Sequence, residues 1–224
     1  MLLIPQVISH GLLLADQEIT SAMFSDSLDL FRAKEQVLAD KLSPVKASAY
    51  ALGRARTAKF IPAFDINPSN PYDEAIDFID GSNPGDLIVI STGKSNVSAF
   101  WGELFSAAAM SRGAVGMVTD GNLRDISKIR NLGFSAFANS SRPIDFRGRM
   151  KLVETQQDVQ LGGVNISPGD IVCADDDGVV VIPQLVEVKV LEAARARAAA
   201  ESTVLEELLA GSTLRQVWTR HGIL

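Results

Sequence analysis

Arg124 and Asp125 stand side by side in the segment Gly116-Met117-Val118-Thr119-Asp120-Gly121-Asn122-Leu123-Arg124-Asp125-Ile126. The segment reads as a buried strand, a tight turn and a helix start. A guanidinium offers a planar fork that matches a carboxylate. An adjacent aspartate can ligate a hard divalent cation that keeps most of its waters. Together they suit an anionic substrate held beside a metal ion. The competing reading makes Asp125 an N-cap for the following helix and Arg124 a solvated surface residue. Position adds weight to the functional reading, because ligand sites in open α/β sheets gather at the carboxyl ends of strands.

Thr92-Gly93-Lys94-Ser95-Asn96 precedes an alanine-rich stretch that reads as a helix over 97–111. Unpaired amides and the dipole at a helix start attract anions, so Gly93, Lys94, Ser95 and Asn96 are a candidate carboxylate cradle. An ordinary strand-to-helix connection is the plainer alternative. The motif is not a Walker loop, because the first glycine of that pattern is missing. Glu103 falls nearly two turns into the expected helix, directly after Gly102. A glycine inside a helix costs about 1 kcal/mol relative to alanine, which points to close approach of another group; a surface glutamate is the alternative. Asp175, Asp176 and Asp177 resemble a metal cluster, but Asp-Gly before a valine run is hairpin chemistry. Arg142, Arg147, Arg149 and Lys151 form a basic run, either a solvated face or a source of one more cation.

The elements that must position these groups follow from the pattern. Helical spacing runs from Glu18 to Phe31, with Ser25-Asp26-Ser27 as an expected interruption. Residues 47–61 read as a strand. Pro71 suits the first turn of a short helix through Ile79. Residues 87–90 and 115–118 are short apolar strands, 125–132 a short helix closed by Gly133, and 134–138 a third strand. This alternation argues for parallel pairing. Residues 151–183 then become a series of short β runs with turns at Gly162-Gly163, Pro168-Gly169-Asp170 and Asp175–Gly178. A long helix follows over 184–210, ended by Gly211, with Ser212 expected to cap a last short helix.

Bulk properties exclude several classes. The 224 residues carry a net charge of −6, which disfavours a nucleic-acid-binding face. The single cysteine, Cys173, rules out a disulfide within the chain and lies in an apolar run, where it reads as a small buried hydrophobe rather than a nucleophile. The two histidines, His10 and His221, argue against a His-rich zinc site or a Ser-His-Asp triad. The first residues lack the positive region of a secretory signal, and the run 11–15 is too short to cross a bilayer. The expectation is a cytoplasmic protein with no membrane contact.

In order along the chain, Phe24-Ser25-Asp26-Ser27-Leu28, Gly53-Arg54-Ala55-Arg56-Thr57, Pro84-Gly85-Asp86, Trp101-Gly102-Glu103-Leu104, residues 113–125, Pro168-Gly169-Asp170 and residues 174–183 are similar to the RraA-like family. That family includes the 4-hydroxy-4-methyl-2-oxoglutarate aldolases and the regulators of ribonuclease E activity. The resemblance implies an α/β fold: a swivelling β/β/α domain over residues 1–224, with an N-terminal arm (1–16) and C-terminal helices (184–224). It implies a homotrimer or homohexamer with sites between subunits. It also implies a divalent metal cation, Mg²⁺ or Mn²⁺, on Asp125, with Arg124 on the substrate's oxygens. A pyruvate-like carboxylate would lie on the backbone of Gly93, Lys94, Ser95 and Asn96. Glu103 occupies an acidic position of the family, and Glu201 is the candidate for the acidic residue that a neighbouring subunit supplies. The family's further lysine has three candidates here, Arg147, Arg149 and Lys151. The expected activity is metal-dependent cleavage of a 4-hydroxy-2-oxo acid to pyruvate, with oxaloacetate decarboxylation alongside. The alternative is a non-catalytic regulator that docks on a ribonuclease or RNA helicase.

Overall fold

A computed structural model describes residues 19–63 and 70–223. The expected N-terminal arm, His10 and the start of the first helix at Glu18 lie outside the described residues. Helix α1 (Ser21–Leu30) leads into β1 (Ser43–Pro44), β2 (Ala51–Pro62), α2 (Asp73–Asp80), β3 (Asp86–Ser91), β4 (Ala99–Trp101) and α3 (Glu103–Ser111). There follow β5 (Gly116–Leu123), α4 (Ile126–Leu132), β6 (Ala136–Ser141) and the short strands β7 (Met150–Thr155), β8 (Val159–Leu161), β9 (Val164–Ile166), β10 (Ile171–Ala174) and β11 (Val179–Ile182). Helices α5 (Glu187–Leu209) and α6 (Leu214–His221) close the order.

Nine strands form one sheet, ordered β1-β6-β5-β3-β2-β10-β11, with β4 added beside β5 and β7 beside β2. The expected parallel pairing holds for β3 with β5 and β5 with β6, and β2 with β3 and β4 with β5 also pair in parallel. β7, β10 and β11 run antiparallel, and β8 with β9 forms a separate hairpin. Together with the C-terminal helix, this is the swivelling β/β/α architecture. The central parallel strands are buried on both faces: β3 is a near-continuous apolar run, whereas β5 buries Thr119, Asp120 and Asn122 along with its apolar residues. One face packs Phe60, Phe78, Ile90, Phe100, Trp101 and Met117, and the other Leu87, Val89, Val118, Phe137 and the β8–β9 hairpin. A third cluster joins α1 to α5 through Phe24, Leu28, Val190 and Leu191. Arg54 on β2 fixes the start of α5 through both its Nη atoms on Glu187, at 2.5 and 2.6 Å.

Several local expectations are corrected. Residues 97–111 are not one helix: Ala99, Phe100 and Trp101 form a buried strand beside β5, and the helix begins at Glu103. Burying two aromatic rings against a ready strand edge outweighs the helical preference of the neighbouring alanines, and the Asn122 amide donates to the Ser98 carbonyl at 3.0 Å. Ser25-Asp26-Ser27 does not interrupt α1, because the Ser27 hydroxyl donates back to the Met23 carbonyl within the helix. α2 starts at Asp73 rather than at Pro71, which lies in the preceding turn. The last helix is capped by Thr213 in a capping box with Gln216, not by Ser212.

The hairpin reading of the aspartate run holds. Asp175 accepts from the amides of Asp177 and Gly178 in the β10–β11 turn and from the amide and hydroxyl of Ser21, fastening α1 to that turn. Cys173 is fully buried and burial pushes its thiol far up, so it is no nucleophile. Among the described residues no helix is long and apolar enough to cross a membrane.

Candidate functional site

Three parallel neighbours end together. Trp101 of β4 pairs with Leu123 of β5, and Leu123 pairs with Ser141 of β6. The ladder runs one residue further, with the Arg124 amide on the Trp101 carbonyl and the Arg142 amide on the Leu123 carbonyl, both at 2.9 Å. The residues that follow each strand, Gly102-Glu103, Arg124-Asp125 and Arg142, therefore meet at one edge. This is the carboxyl edge of the sheet, where α/β ligand sites form.

Asp125 occupies the N-cap position of α4 but does not cap it. Its backbone is left-handed, φ 58° and ψ 33°, and its side chain makes no capping bond. Aspartate tolerates this region better than most residues, yet the conformation still costs about 1 kcal/mol. The carboxylate instead points back across the strand ends. It accepts a long bond of 3.4 Å from the Glu103 amide and lies 3.8 Å from Arg124 Nε. Gly102 makes this possible: a Cβ there would stand 2.8 Å from Asp125 Oδ2 and 3.1 Å from Arg124 Cγ. The close approach suspected at Gly102 is thus the Asp125 carboxylate.

Glu103 is the first residue of α3, not two turns into a helix. Its carboxylate receives Lys128 from α4 at 2.9 Å, and this pairing raises the lysine's pKa. Arg124 is held from the other side. Its Nη1 donates to Asp145 Oδ2 at 3.0 Å, the Tyr72 hydroxyl donates to the same oxygen at 2.7 Å, and the Arg147 amide donates to Oδ1 at 3.0 Å. Burial pushes the Asp145 carboxyl up, but the amide, the hydroxyl and the guanidinium outweigh it and leave the group below the usual carboxylate range. Burial and the same carboxylate push the Tyr72 phenol above its ordinary value.

The pair Arg124 and Asp125 stands between two hollows. The polar one, about 490 Å³, is lined by both residues with Ser141, Arg142 and Pro143. The apolar one, about 330 Å³, is lined by both residues with Tyr72, Trp101, Glu103, Phe105 and Phe146 among others. Of the basic run, Arg142 lines the polar hollow, whereas Arg149 turns onto the carbonyls of Asp145 and Arg147.

The expected anion cradle changes character. With β4 interposed, the 92–96 loop no longer opens a helix. It is organised by buried Asp120, which accepts from the Thr92 amide and hydroxyl and the Lys94 amide at 2.6, 2.8 and 2.9 Å. The Ser95 amide donates to the Thr92 hydroxyl. Of the four proposed amides, those of Gly93 and Asn96 keep no protein acceptor among the described residues. Lys94 Nζ is drawn to Asp40, and the Asn96 carbonyl accepts from Arg142, which links this loop to the polar hollow. Glu201 is not brought to the cluster within the chain; it lies on α5, 2.6 Å from Arg197, which also holds Asp26.

The sequence pattern does not single out Asp145 or Tyr72. The signal for Asp145 is its place in the loop after a parallel strand; Tyr72 carries none.

A hard cation fits this edge sparingly. Among the described residues no three acidic, histidine or cysteine side chains converge. Asp125 presents an exposed carboxylate that caps nothing in α4 and takes one long bond from the Glu103 amide at the start of α3, so Glu103 lies next to it. One or two carboxylates suffice for a cation that retains its waters, and such a donor set excludes a structural zinc site.

Comparison with known proteins shows the fold and the family. The chain is 29% identical over 196 residues to the Legionella pneumophila protein DlpA, covering 88% of this chain and 31% of that one. It is 29% identical over 181 residues to a Halalkalibacterium halodurans protein named "Putative 4-hydroxy-4-methyl-2-oxoglutarate aldolase", covering 81% of this chain and 80% of that one. The chain thus spans about a third of the first relative and most of the second. Among solved structures, an uncharacterized protein from Pseudomonas syringae superposes with a TM-score of 0.82 at 26% identity, covering 93% of this chain and 97% of that one. Streptomyces coelicolor RraAS2, described as an unusual member of the RNase ES inhibitor RraA family, superposes at 0.74 with 23% identity, covering 90% and 96%, a likeness of fold. A family profile described as Aldolase/RraA matches residues 21–181, and the chain belongs to this RraA-like family.

Proposed function

We propose that this protein is a divalent-cation-dependent lyase that cleaves the C3–C4 bond of a 4-hydroxy-2-oxo acid, releasing pyruvate and a carbonyl product. The observation that carries the reading is the backbone of Asp125: a left-handed aspartate that does not cap its helix, beside a half-buried arginine at the joint carboxyl edge of β4, β5 and β6. Strain of this kind in a residue that does not cap its own helix supports a functional role. The name of the Halalkalibacterium relative supports the same reaction class.

Asp125 would hold Mg²⁺ or Mn²⁺, with Glu103 close enough to bind one of its waters. The cation supplies Lewis-acid polarisation of the 2-oxo acid's oxygens. Arg124 binds and orients the anion, since it lines both hollows and Asp145 takes only its Nη1. The Gly93 and Asn96 amides and Arg142 receive the carboxylate. Glu103, acting through a water, takes the proton of the C4 hydroxyl. The C4–O bond becomes a carbonyl, the C3–C4 bond breaks, and its electron pair stays with the pyruvate half. That half takes up a proton at C3 and leaves as pyruvate. Arg124 stabilises charge on the departing carbonyl oxygen before transfer is complete. Oxaloacetate, which leaves the same electron pair on the same half as CO₂ departs, is the expected side substrate. Assembly as a trimer or hexamer, with Glu201 from an adjacent subunit, belongs to the same proposal.

A pyruvate-release assay with 4-hydroxy-4-methyl-2-oxoglutarate tests the reading. Turnover should require added Mg²⁺ or Mn²⁺ and vanish in EDTA and in Arg124→Ala. Metal-independent or Arg124-independent release would overturn it. Docking on a ribonuclease or RNA helicase is the other reading; it assigns no role to the strained Asp125 or to the Tyr72–Asp145–Arg124 chain.

A further inference from the structure

The two hollows beside Arg124 and Asp125 differ in chemistry. The polar one carries Arg124 and Arg142, and Arg142 donates to the Asn96 carbonyl of the neighbouring loop. The apolar one is walled by rings that already hold one another. Tyr72 meets Phe146 edge-on at 5.3 Å between centroids, and Trp101 meets Phe105 edge-on at 5.6 Å. Its rim carries Ile76 and Leu104, which are 45% and 78% exposed.

We infer that the apolar hollow is the subsite for an uncharged alkyl or aryl substituent on C4 of the substrate. The inference rests on the lyase reading above. Three observations carry it. First, both hollows share Arg124 and Asp125, so one ligand gripped there reaches into either. Second, the charged groups of the apolar hollow are Glu103, Arg124 and Asp125, all assigned to the head of the ligand. Among the described residues no further cation lines it to receive a second carboxylate, and burying an unpaired one is costly. Third, its volume of about 330 Å³ exceeds the roughly 150 Å³ of a dry cavity known to hold benzene, so a phenyl group fits with room to spare. Phe105 and Phe146 both line it, and aromatic rings pack favourably on a bound ring. The products would be pyruvate and an apolar aldehyde or ketone.

Two measurements decide the matter on the intact protein with Mg²⁺. Calorimetry compares 2-oxo-4-phenylbutanoate, which lacks the C4 hydroxyl and cannot be cleaved, with 2-oxoglutarate. The phenyl compound should bind at least tenfold more tightly. Ile76→Trp and Leu104→Trp, both at exposed positions that leave the core intact, should fill the hollow and remove most of that preference while sparing 2-oxoglutarate. Pyruvate release from 4-hydroxy-2-oxo-4-phenylbutanoate should exceed that from 4-hydroxy-4-methyl-2-oxoglutarate in kcat/KM. Equal binding, or a preference that survives both filling substitutions, overturns the inference. So does a change of sedimentation in Ile76→Trp with the preference unaltered, which would make the hollow a contact between copies of the chain. The lyase reading fails separately: if neither hydroxy acid releases pyruvate, the reaction is wrong, and the binding comparison still decides the subsite.

Discussion

Asp145 Oδ2 stands 3.0 Å from Arg124 Nη1 and takes the Tyr72 hydroxyl at 2.7 Å, so the proposed anion anchor is itself anchored by a residue 21 positions away on the next strand's loop. A charge-assisted hydrogen bond is worth about 1.5–3 kcal/mol when shielded. Here both side chains are partly in solvent, which places the effect near the lower end. Asp145→Asn keeps the shape and removes the charge. It should raise KM for a 2-oxo acid about tenfold with a smaller change in kcat, since about 1.4 kcal/mol is one decade. Steady-state kinetics against wild type check this; an unchanged KM would show that Arg124 orients itself.

The same network has a pH signature. Asp145 is held below the ordinary carboxylate value of 3.8, so its contribution is present above that value and is lost as pH falls through the lower folded one. Tyr72 is raised above 10.0, so its contribution is present below that value and is lost as pH climbs through the higher folded one. The difference in Tm between wild type and Asp145→Asn should therefore stay constant from about pH 5 to pH 9 and shrink only below about pH 4. A gap that already closes between pH 6 and pH 5 would place the carboxyl above its usual range.

How far the site was legible in the chain depends on range. Arg124, Asp125 and Glu103 are chemically conspicuous, and the strand before them follows from four apolar residues and a turn. The parallel alternation of 87–138 is likewise written in local periods. β4 is not, because three residues and a flanking alanine run look helical until β5 offers an edge. That error moved the expected anion cradle onto a helix start that does not exist. Asp120, four residues before Arg124, gives no local sign that it holds a loop 28 residues away. The Tyr72–Asp145 bond spans 73 residues and depends on two loops meeting, which no period records.

Gly102 tests the crowding behind the site. Its φ of −158° is ordinary extended backbone, so alanine carries no conformational penalty there. The added methyl would meet Asp125 Oδ2 at 2.8 Å and Arg124 Cγ at 3.1 Å and must push both aside. Gly102→Ala should lower kcat/KM at least tenfold, since a displacement of about 1 Å at reacting groups costs that much or more. Its Tm should move little, because the displaced groups are half-exposed. Equal activity would mean that neither side chain needs its present position.

Asp120 should behave in the opposite way, as a structural residue near the site. It is buried and satisfies three donors of the 92–96 loop. Asp120→Ala leaves those donors without an acceptor in a dry place, at about 1–3 kcal/mol each before relaxation. A net loss of about 3 kcal/mol corresponds to a fall in Tm of roughly 6–12 °C for a chain of this size. Thermal unfolding measures it. A shift under about 2 °C would mean that water replaces the carboxylate and that the loop does not depend on it.

Asp125 offers the sharpest separation of stability from function. A left-handed backbone suits glycine without penalty, and the aspartate side chain caps nothing in α4. Asp125→Gly removes the strain but also loosens the unfolded chain, which offsets part of the gain. The net change should be between zero and about +1 kcal/mol, a Tm equal to wild type or up to about 4 °C higher. Pyruvate release should nevertheless fall by at least a thousandfold, and Mn²⁺ binding read by electron paramagnetic resonance should be lost. A stabilising substitution that abolishes turnover is the signature of a residue kept for chemistry at the expense of the fold. Retained Mn²⁺ binding and turnover in this variant would remove the cation from Asp125 and with it the proposed reaction.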